Sequence, residues 1–355
     1  MSGLYVFSWG RAEAMKKYSV VVVGIGLVGT RILQVLRERH FPASSVKVLA
    51  RTARTETVDG VDYPVVPASA EAFDGADIAL FAGTEGAKGA SQLYGWEAVK
   101  RGCVVIDNGD DFRMDPRVPL VIPEVNPEAL RESQGLISNP NCSTIQMVVT
   151  LAPLHRAARI RRIVATTFQS VSGSGGAAVA ELERQVRDVP AGKPARPEQY
   201  PHPIFGNVIP QVSTLKDIYP GYYGEEIKMI RETRKILSEP DLAVTATCAR
   251  VPVALAHSEA INVEFERKLS ADRAREILAA SPGVVVVDDP AKSRYPMPLD
   301  AAGRDEVFVG RIREDPSRAN TLDLWCVADN IRKGAATNAV QIVEKMIEMK
   351  LLKGK

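Results

Sequence analysis

The run Val20-Val21-Val22-Val23, followed at once by Gly24-Ile25-Gly26-Leu27-Val28-Gly29, is the most constraining stretch of the chain. Four β-branched residues in a row, with no polar alternation, describe a strand covered on both faces, as in a parallel sheet. The glycines fit G-x-G-x-x-G, and a helical pattern runs from about Val28 to Glu38. Strand, glycine turn and helix in that order form a dinucleotide-binding fingerprint. The turn lets the backbone approach a pyrophosphate closely, and the positive end of the helix dipole holds it. Gly24, Gly26, Leu27, Val28 and Gly29 are the expected cofactor contacts, with a merely structural glycine turn as the alternative.

Further apolar runs, Val46-Lys47-Val48-Leu49-Ala50, Ile78-Ala79-Leu80-Phe81, Val104-Val105-Ile106 and Leu136-Ile137, alternate with helical stretches up to residue 141. This predicts a Rossmann-type, doubly wound α/β domain over 18–142. Beyond it, longer strand candidates (162–171, 243–253, 259–266, 307–313 and 321–327) with fewer helices predict an α+β domain with a mixed or antiparallel sheet over 143–329. Seven of the 23 prolines fall between Pro190 and Pro220. An excursion of that kind is either an exposed loop or a contributor to a site or subunit contact. A final helical pattern over 334–350 belongs to a C-terminal segment, 330–355, that joins the first domain; periodicity alone does not say where it packs.

Two domains suit a chain of 355 residues. With 45 basic against 43 acidic side chains the net charge is +2, which argues against a nucleic-acid binder. No run of about 18 uncharged apolar residues predicts a membrane span. Residues 1–17 read as an extension, with an apolar run too short for an export signal and Met15 as a second candidate start. Four cysteines without a C-x-x-C pair suggest free thiols in a reducing, cytoplasmic setting and no metal site.

After the second strand stands Arg51-Thr52-Ala53-Arg54 rather than a carboxylate. An acid there would bind a ribose 2′-hydroxyl, whereas guanidiniums attract a 2′-phosphate, so NADP(H) is the expected cofactor. A solvated basic loop is the alternative.

Cys142 differs from the other thiols. Cys103, Cys248 and Cys326 lie in β-rich runs as small buried hydrophobes, while Cys142 ends a turn, Ser138-Asn139-Pro140-Asn141, ahead of a helical pattern over 145–157. A thiol at a helix N-terminus has its pKa lowered by the dipole. Spacing leaves a catalytic thiol and an inert N-cap neighbour both open. A base is the usual companion. Of His40, His155, His202 and His257, the last is read at a turn between two strands, from which a side chain can reach a cleft; a structural histidine is the alternative.

Asn139-Pro140-Asn141-Cys142-Ser143-Thr144, Gln169-Ser170-Val171-Ser172-Gly173, Arg250-Val251-Pro252-Val253 and Ala256-His257-Ser258-Glu259 resemble the signature segments of the aspartate-β-semialdehyde dehydrogenase family. So do Asp107-Asn108, Phe112-Arg113, Pro123-Glu124-Val125-Asn126, Glu225-Glu226-Ile227-Lys228 and Asp329-Asn330-Ile331-Arg332-Lys333-Gly334, in the same order along nearly the whole chain. The glycine loop departs from the family's usual G-A-T-G-x-V-G at Ile25-Gly26-Leu27. The resemblance implies an NADP-dependent, phosphorylating aldehyde dehydrogenase that reduces L-aspartyl 4-phosphate to L-aspartate 4-semialdehyde, on the route to lysine, methionine and threonine, as a homodimer. It implies Cys142 as nucleophile, His257 as acid/base and Gln169 orienting the intermediate. Arg250 would take the substrate α-carboxylate, Glu225 its amino group, and Arg113, Lys228 and Asn141 the phosphate. Ser172, Gly173 and Asn330 would join the cofactor contacts. Glu225 and Lys228, at i,i+3, could instead be a surface ion pair, Arg113 a loop brace and Gln169 an ordinary strand residue. An N-acetyl-γ-glutamyl-phosphate reductase and a non-catalytic relative are the alternative functions.

Overall fold

The computed structural model describes residues 16–83 and 89–352. The expected N-terminal extension, apart from its last two residues, lies outside them. In the first domain, strands β1 Tyr18–Val23, β2 Ala43–Ala50, β3 Arg54–Val58, β4 Val61–Pro67, β5 Ile78–Phe81, β6 Val104–Asp107 and β7 Leu136–Ser138 form one sheet in the order β3-β4-β2-β1-β5-β6-β7. Every pairing is parallel except the β3/β4 hairpin. Helix α1 Leu27–Glu38 follows β1, and α2 Ala90–Lys100 links β5 to β6. Val20 and Val22 pack under α1 through Ile32 and Leu33, while Val21 and Val23 pack on the other face with Phe73 and Ala98. That two-sided burial is why the valine run carries no alternation. β1 lies at the point where the strand order reverses, so the crevice off its C-terminal end, at Gly24, is where a sheet of this kind receives a ligand.

The hairpin β3–β4 was not legible in the apolar runs, because as the edge of the sheet it carries exposed polar residues such as Arg54, Thr55, Thr57 and Asp62. It turns at Asp59-Gly60, both with positive φ.

The second part opens with α3 Cys142–Ala158 and continues through β8 Ile160–Gln169, α4 Gly176–Asp188, α5 Gly224–Ile236, β9 Ala243–Arg250, β10 His257–Phe265, α6 Ala271–Ala279, β11 Val284–Val286, α7 Pro298–Ala301, β12 Val307–Glu314 and β13 Thr321–Ala328. Its six-stranded sheet runs β11-β12-β13-β10-β8-β9 and is mixed: β8/β9 and β11/β12 are parallel, the rest antiparallel. α3, α5 and α6 cover one face, burying Val148, Met229 and Leu278 against Ile261 and Val263. The proline-rich excursion is part of the site rather than a free loop: Ile209 pairs with Arg250, and Val212 and Ser213 reach the interdomain cleft.

The chain then returns to the first domain. A π-helical turn, Arg332–Ala336, precedes α8 Thr337–Glu348, so the last helical pattern is two elements. Ala336, Ala339, Val340 and Val343 join the core that holds Val20 and Ile32. No described helix is long and apolar enough to cross a membrane.

Candidate active site

One cleft of about 950 Å³ separates the two domains, walled by the glycine loop at one end and by Cys142 at the other. At the loop end, Gly24 has φ +95°, a conformation open to glycine, and a methyl group on Gly29 would lie 1.9 Å from the Gly24 carbonyl oxygen. Gly29 therefore lets α1 close onto the turn. A methyl on Gly26 meets nothing within 4 Å among the described residues, so as far as these go the backbone there faces space that a pyrophosphate can enter. Leu27, Val28 and Arg51 share this wall, as do Ser172, Gly173 and Asn330 from the far side. Thr52 and Arg54 do not. Arg54 opens the edge strand β3, donating from Nε to Glu56 Oε1 at 2.6 Å and from Nη1 to Thr52 Oγ1 at 3.2 Å, which turns it from the cleft.

At the other end, Cys142 is the first residue of α3, three residues earlier than the helical pattern suggested. Asn141 is its N-cap: its Oδ1 accepts from the amides of Ser143 at 3.0 Å and Thr144 at 3.1 Å. Its Nδ2 donates to Glu225 Oε1 at 2.8 Å. Gln169, the last residue of β8, donates from Nε2 to Ser143 Oγ at 2.9 Å and to Glu225 Oε1 at 3.3 Å, so it is bound into the site. Glu225 and Lys228 start α5; Lys228 Nζ lies 4.0 Å from Glu225 and 3.1 Å from Asp110 across the domain boundary, so this is no surface pair. Arg113 is buried, donating to the carbonyls of Asn108 at 2.7 Å and Asn139 at 3.0 Å while lining the cleft, so it braces the loops as well as facing the site. Arg250, ending β9, donates from Nη1 to the Ser170 carbonyl at 2.7 Å, and its Nε is buried without a hydrogen-bond partner among the described residues.

The thiol departs from the expected pKa. Burial and the Glu225 carboxylate push Cys142 up to about 12, outweighing Arg250, Arg113 and the amide of Ser143. In this pocket Cys142 is a thiol, and the dipole alone does not ionise it. The other three cysteines are buried, Cys248 and Cys326 within strands and Cys103 one residue before β6.

His257 begins β10 rather than sitting in a turn; it is fully buried and does not form the cleft surface. Ser170 donates its backbone N–H to Nδ1 at 3.0 Å, so the neutral ring carries its proton on Nε2. Nε2 has no partner among the described residues and stands behind Gly173, where a methyl group would come within 3.2 Å of it and within 2.9 Å of Arg250 Nη1. Burial, then the Arg250 guanidinium, hold the imidazole well below its usual pKa. Asn330 Oδ1 accepts from Ser170 Oγ at 3.1 Å, Ser172 Oγ at 3.1 Å and the Ala256 amide at 3.1 Å, tying the π-turn region to this pair.

Several buried groups escaped the sequence reading. Gly334, in the π-turn, packs on the nucleophile: a methyl there would stand 2.8 Å from Cys142 Cβ. Lys333 Nζ, fully buried, donates to both Glu124 oxygens at 2.8 and 2.7 Å and to Asn338 Oδ1 at 2.8 Å; Asn338 Nδ2 donates to Asn139 Oδ1 at 2.6 Å. This chain pins the turn before Cys142 from the C-terminal segment. The sequence reading had Lys333 only as part of the signature segment Asp329–Gly334, and its burial depends on Glu124 and Asn338. No group of metal-ligating side chains occurs among the described residues.

A family model described as semialdehyde dehydrogenase, NAD binding domain, matches residues 19–133, and one described as semialdehyde dehydrogenase, dimerisation domain, matches 151–333. Aspartate-semialdehyde dehydrogenase of Aquifex aeolicus is 46% identical over 94% of the chain and 99% of its own length. The chain belongs to the aspartate-semialdehyde dehydrogenase family. The Bacillus subtilis member is 44% identical over 94% of the chain and 98% of its length. The solved structure of aspartate semialdehyde dehydrogenase II from Vibrio cholerae superposes with TM-score 0.89 at 41% identity, covering 94% of this chain and 99% of that one. The same Vibrio protein has been solved in complex with ASA, at 40% identity to this chain. A Candida albicans member solved with NADP, at 24% identity and TM-score 0.71, shares the fold.

Proposed function

We propose that the protein reduces L-aspartyl 4-phosphate to L-aspartate 4-semialdehyde with NADPH, releasing phosphate, through a thioester on Cys142, and that it works in the cytoplasm as a homodimer. The observation that carries this reading is a single cleft that joins a glycine-loop dinucleotide wall to Cys142, the one thiol of the four that lines it. The ASA complex of the Vibrio relative and the NADP complex of the Candida one support the choice of substrate and cofactor.

The roles follow from charge and reach. Arg250 suits a carboxylate, because a guanidinium grips it in a two-toothed fork. Glu225 suits the substrate ammonium, and an ammonium docked there offsets the carboxylate that holds the thiol proton on. Arg113, Lys228 and Asn141 converge where the leaving phosphate would rest. The Cys142 proton leaves with the phosphate as the sulfur forms the acyl bond and the C–O bond to phosphate breaks. The backbone N–H of Cys142 and the Gln169 side chain would steady the tetrahedral oxyanion. When bound, NADPH supplies the hydride that the thioester carbonyl receives; the open Gly26 backbone and Arg51 are the groups that would hold its phosphates. His257, behind Gly173 with its proton on Nε2, would hydrogen-bond the oxygen that gains charge; as that oxygen re-forms the carbonyl, the carbon–sulfur bond breaks, releasing the aldehyde and a thiolate that regains its proton from water.

The test runs the reaction backwards: NADP reduction by L-aspartate 4-semialdehyde, with and without phosphate, beside the N-acetylglutamate semialdehyde analogue. Phosphate-dependent turnover of the aspartate compound supports the reading. Preference for the acetylated analogue, which has no ammonium for Glu225, would replace it with an N-acetyl-γ-glutamyl-phosphate reductase.

A further inference from the structure

Helix α5 presents Glu225, Lys228, Glu232 and Lys235 to the first domain at i,i+3 and i,i+4 spacing, so one helical stripe carries four charges. Glu225 and Lys228 reach the cleft. Lys235 Nζ donates to the carbonyls of Arg113 at 2.7 Å, Asp115 at 3.0 Å and Val118 at 2.8 Å, fastening the loop that carries Arg113. Glu232 is different: it is 1% exposed, does not line the cleft and takes no part in the scheme above. Its carboxylate is divided. Oε1 accepts from Arg113 Nη1 at 3.0 Å and Oε2 from the backbone N–H of Asn141 at 2.7 Å.

We propose that Glu232 is a positioning residue for the phosphate, locking the Arg113 guanidinium to the start of the nucleophile helix across the domain boundary. The proposal rests on the reading that Arg113 holds phosphate. Arg113 comes from the first domain, as do the Asn108 and Asn139 carbonyls that brace it, and those neutral acceptors supply no counter-charge. Glu232 supplies it from the second domain, and a buried guanidinium needs one. The second oxygen takes the amide of the N-cap residue, one position before Cys142. Through one carboxylate, therefore, the distance from the phosphate arginine to the sulfur-bearing helix start is set by α5 rather than by the loops of either domain. Dividing the carboxylate also means that it takes one amine of the guanidinium, not the paired grip that would compete with a phosphate.

Glutamine at this position has one acceptor oxygen for two donors, so its amide must point an N–H at either Arg113 or Asn141. In the full-length enzyme assayed in the semialdehyde-to-acyl-phosphate direction, Glu232→Gln is expected to raise the KM for phosphate about ten- to a hundredfold, the worth of one charge-assisted hydrogen bond. The KM for the semialdehyde should stay within about twofold, because its carboxylate and ammonium partners lie elsewhere. Arg113→Lys alone should also raise the phosphate KM, and the double variant should be no worse than the worse single one. Should the glutamine variant fail to fold, Glu232→Asp, which keeps the charge but shortens the reach, must show the same phosphate-selective rise. Equal rises for both substrates, no rise, or multiplying effects in the double variant would overturn the proposal. If Arg113→Lys leaves the phosphate KM unchanged, the assignment of Arg113 itself fails; if it raises that KM while Glu232→Gln does not, only the role of Glu232 fails.

Discussion

The two ends of the cleft are built from different materials. At the nucleotide end the groups facing the cavity are mostly backbone: Gly24, Gly26 and Gly29 shape the turn, and the nearby arginines stand in solvent. At the acyl end they are charged and amide side chains taken out of water, each held by another: Asn141 by Glu225, Gln169 by Ser143, Arg113 by Glu232, Arg250 by the Ser170 carbonyl. A backbone cradle tunes affinity in small steps, since any one contact is exchanged for water at little cost. A buried, interlocked constellation acts as a unit, because a displaced member leaves its partner unsatisfied. Changes at the acyl end should therefore be large and alter turnover, and changes at the nucleotide end should be graded and alter cofactor affinity.

The largest expected effect is that of Cys142→Ala. Without sulfur no thioester forms, so turnover should fall below detection while NADPH binding, measured by fluorescence titration, stays close to that of the parent. Residual turnover within about a hundredfold of the parent would remove the covalent mechanism. Next comes His257→Asn, expected to slow turnover about 10²–10⁴-fold, the usual worth of a positioned proton donor. This variant also carries a pH signature. The folded protein keeps His257 neutral well below 6.5, whereas the unfolded chain takes up a proton near that value. Below it the unfolded state binds more protons, so stability falls as pH drops, and His257→Asn should flatten that part of the stability-pH curve. An unchanged slope in denaturant titrations between pH 7 and 5 would place the titrating group elsewhere.

This division also explains what could be read from the chain before its structure. The glycine loop was legible because its function and its geometry are local: six consecutive residues make the turn, and the valine run before it states that both sheet faces are covered. Five of the six strands of the second sheet were legible for the same reason; the three-residue β11 was not among the candidates. Cys142 stood out by its turn-rich setting, but its pKa went the other way, because Glu225 and the depth of the pocket are contributed by residues distant along the chain. His257 read as a turn residue since the preceding Ala256, at φ +69°, does mark a turn; the burial that follows depends on β8 and β13 flanking it. Glu232 carried no signal of function, and Lys333 only its place in a signature segment. A charge on a helix looks solvated until the opposite domain is in place, and the pairs Arg113–Glu232 and Lys333–Glu124 join residues that only the interdomain fold makes neighbours.

At the nucleotide end, Gly26→Ala separates fold from binding. Gly26 has φ −87° and space for a methyl group, so the melting temperature should not move, while the methyl intrudes where a pyrophosphate would approach. An increase of about tenfold in the KM for NADPH is expected, the loss of one close phosphate contact. Gly29→Ala should instead lower the melting temperature, as its methyl meets the Gly24 carbonyl. If Gly26→Ala slowed turnover as much as His257→Asn at saturating cofactor, the contrast between the two ends would be broken.

The smallest effects distinguish the two arginines that follow β2. Arg51 lies on the cleft wall, whereas Arg54 is committed to Glu56 at 2.6 Å on the edge strand. Exposed pairs of that sort hold their partners only weakly, at about 0.2–1 kcal/mol, so Arg54 could be recruited by a 2′-phosphate at modest cost. It would still start from the wrong side of the loop. Arg51→Ala should therefore raise the KM for NADPH about tenfold and leave that for NADH unchanged, since only the former carries the phosphate that a guanidinium grips. Arg54→Ala should raise it about twofold or less. The ratio of the two Michaelis constants in each variant is the decisive number: if Arg54→Ala shifts it more than Arg51→Ala, the 2′-phosphate is read from the hairpin, and the edge strand must swing toward the cleft when the nucleotide binds.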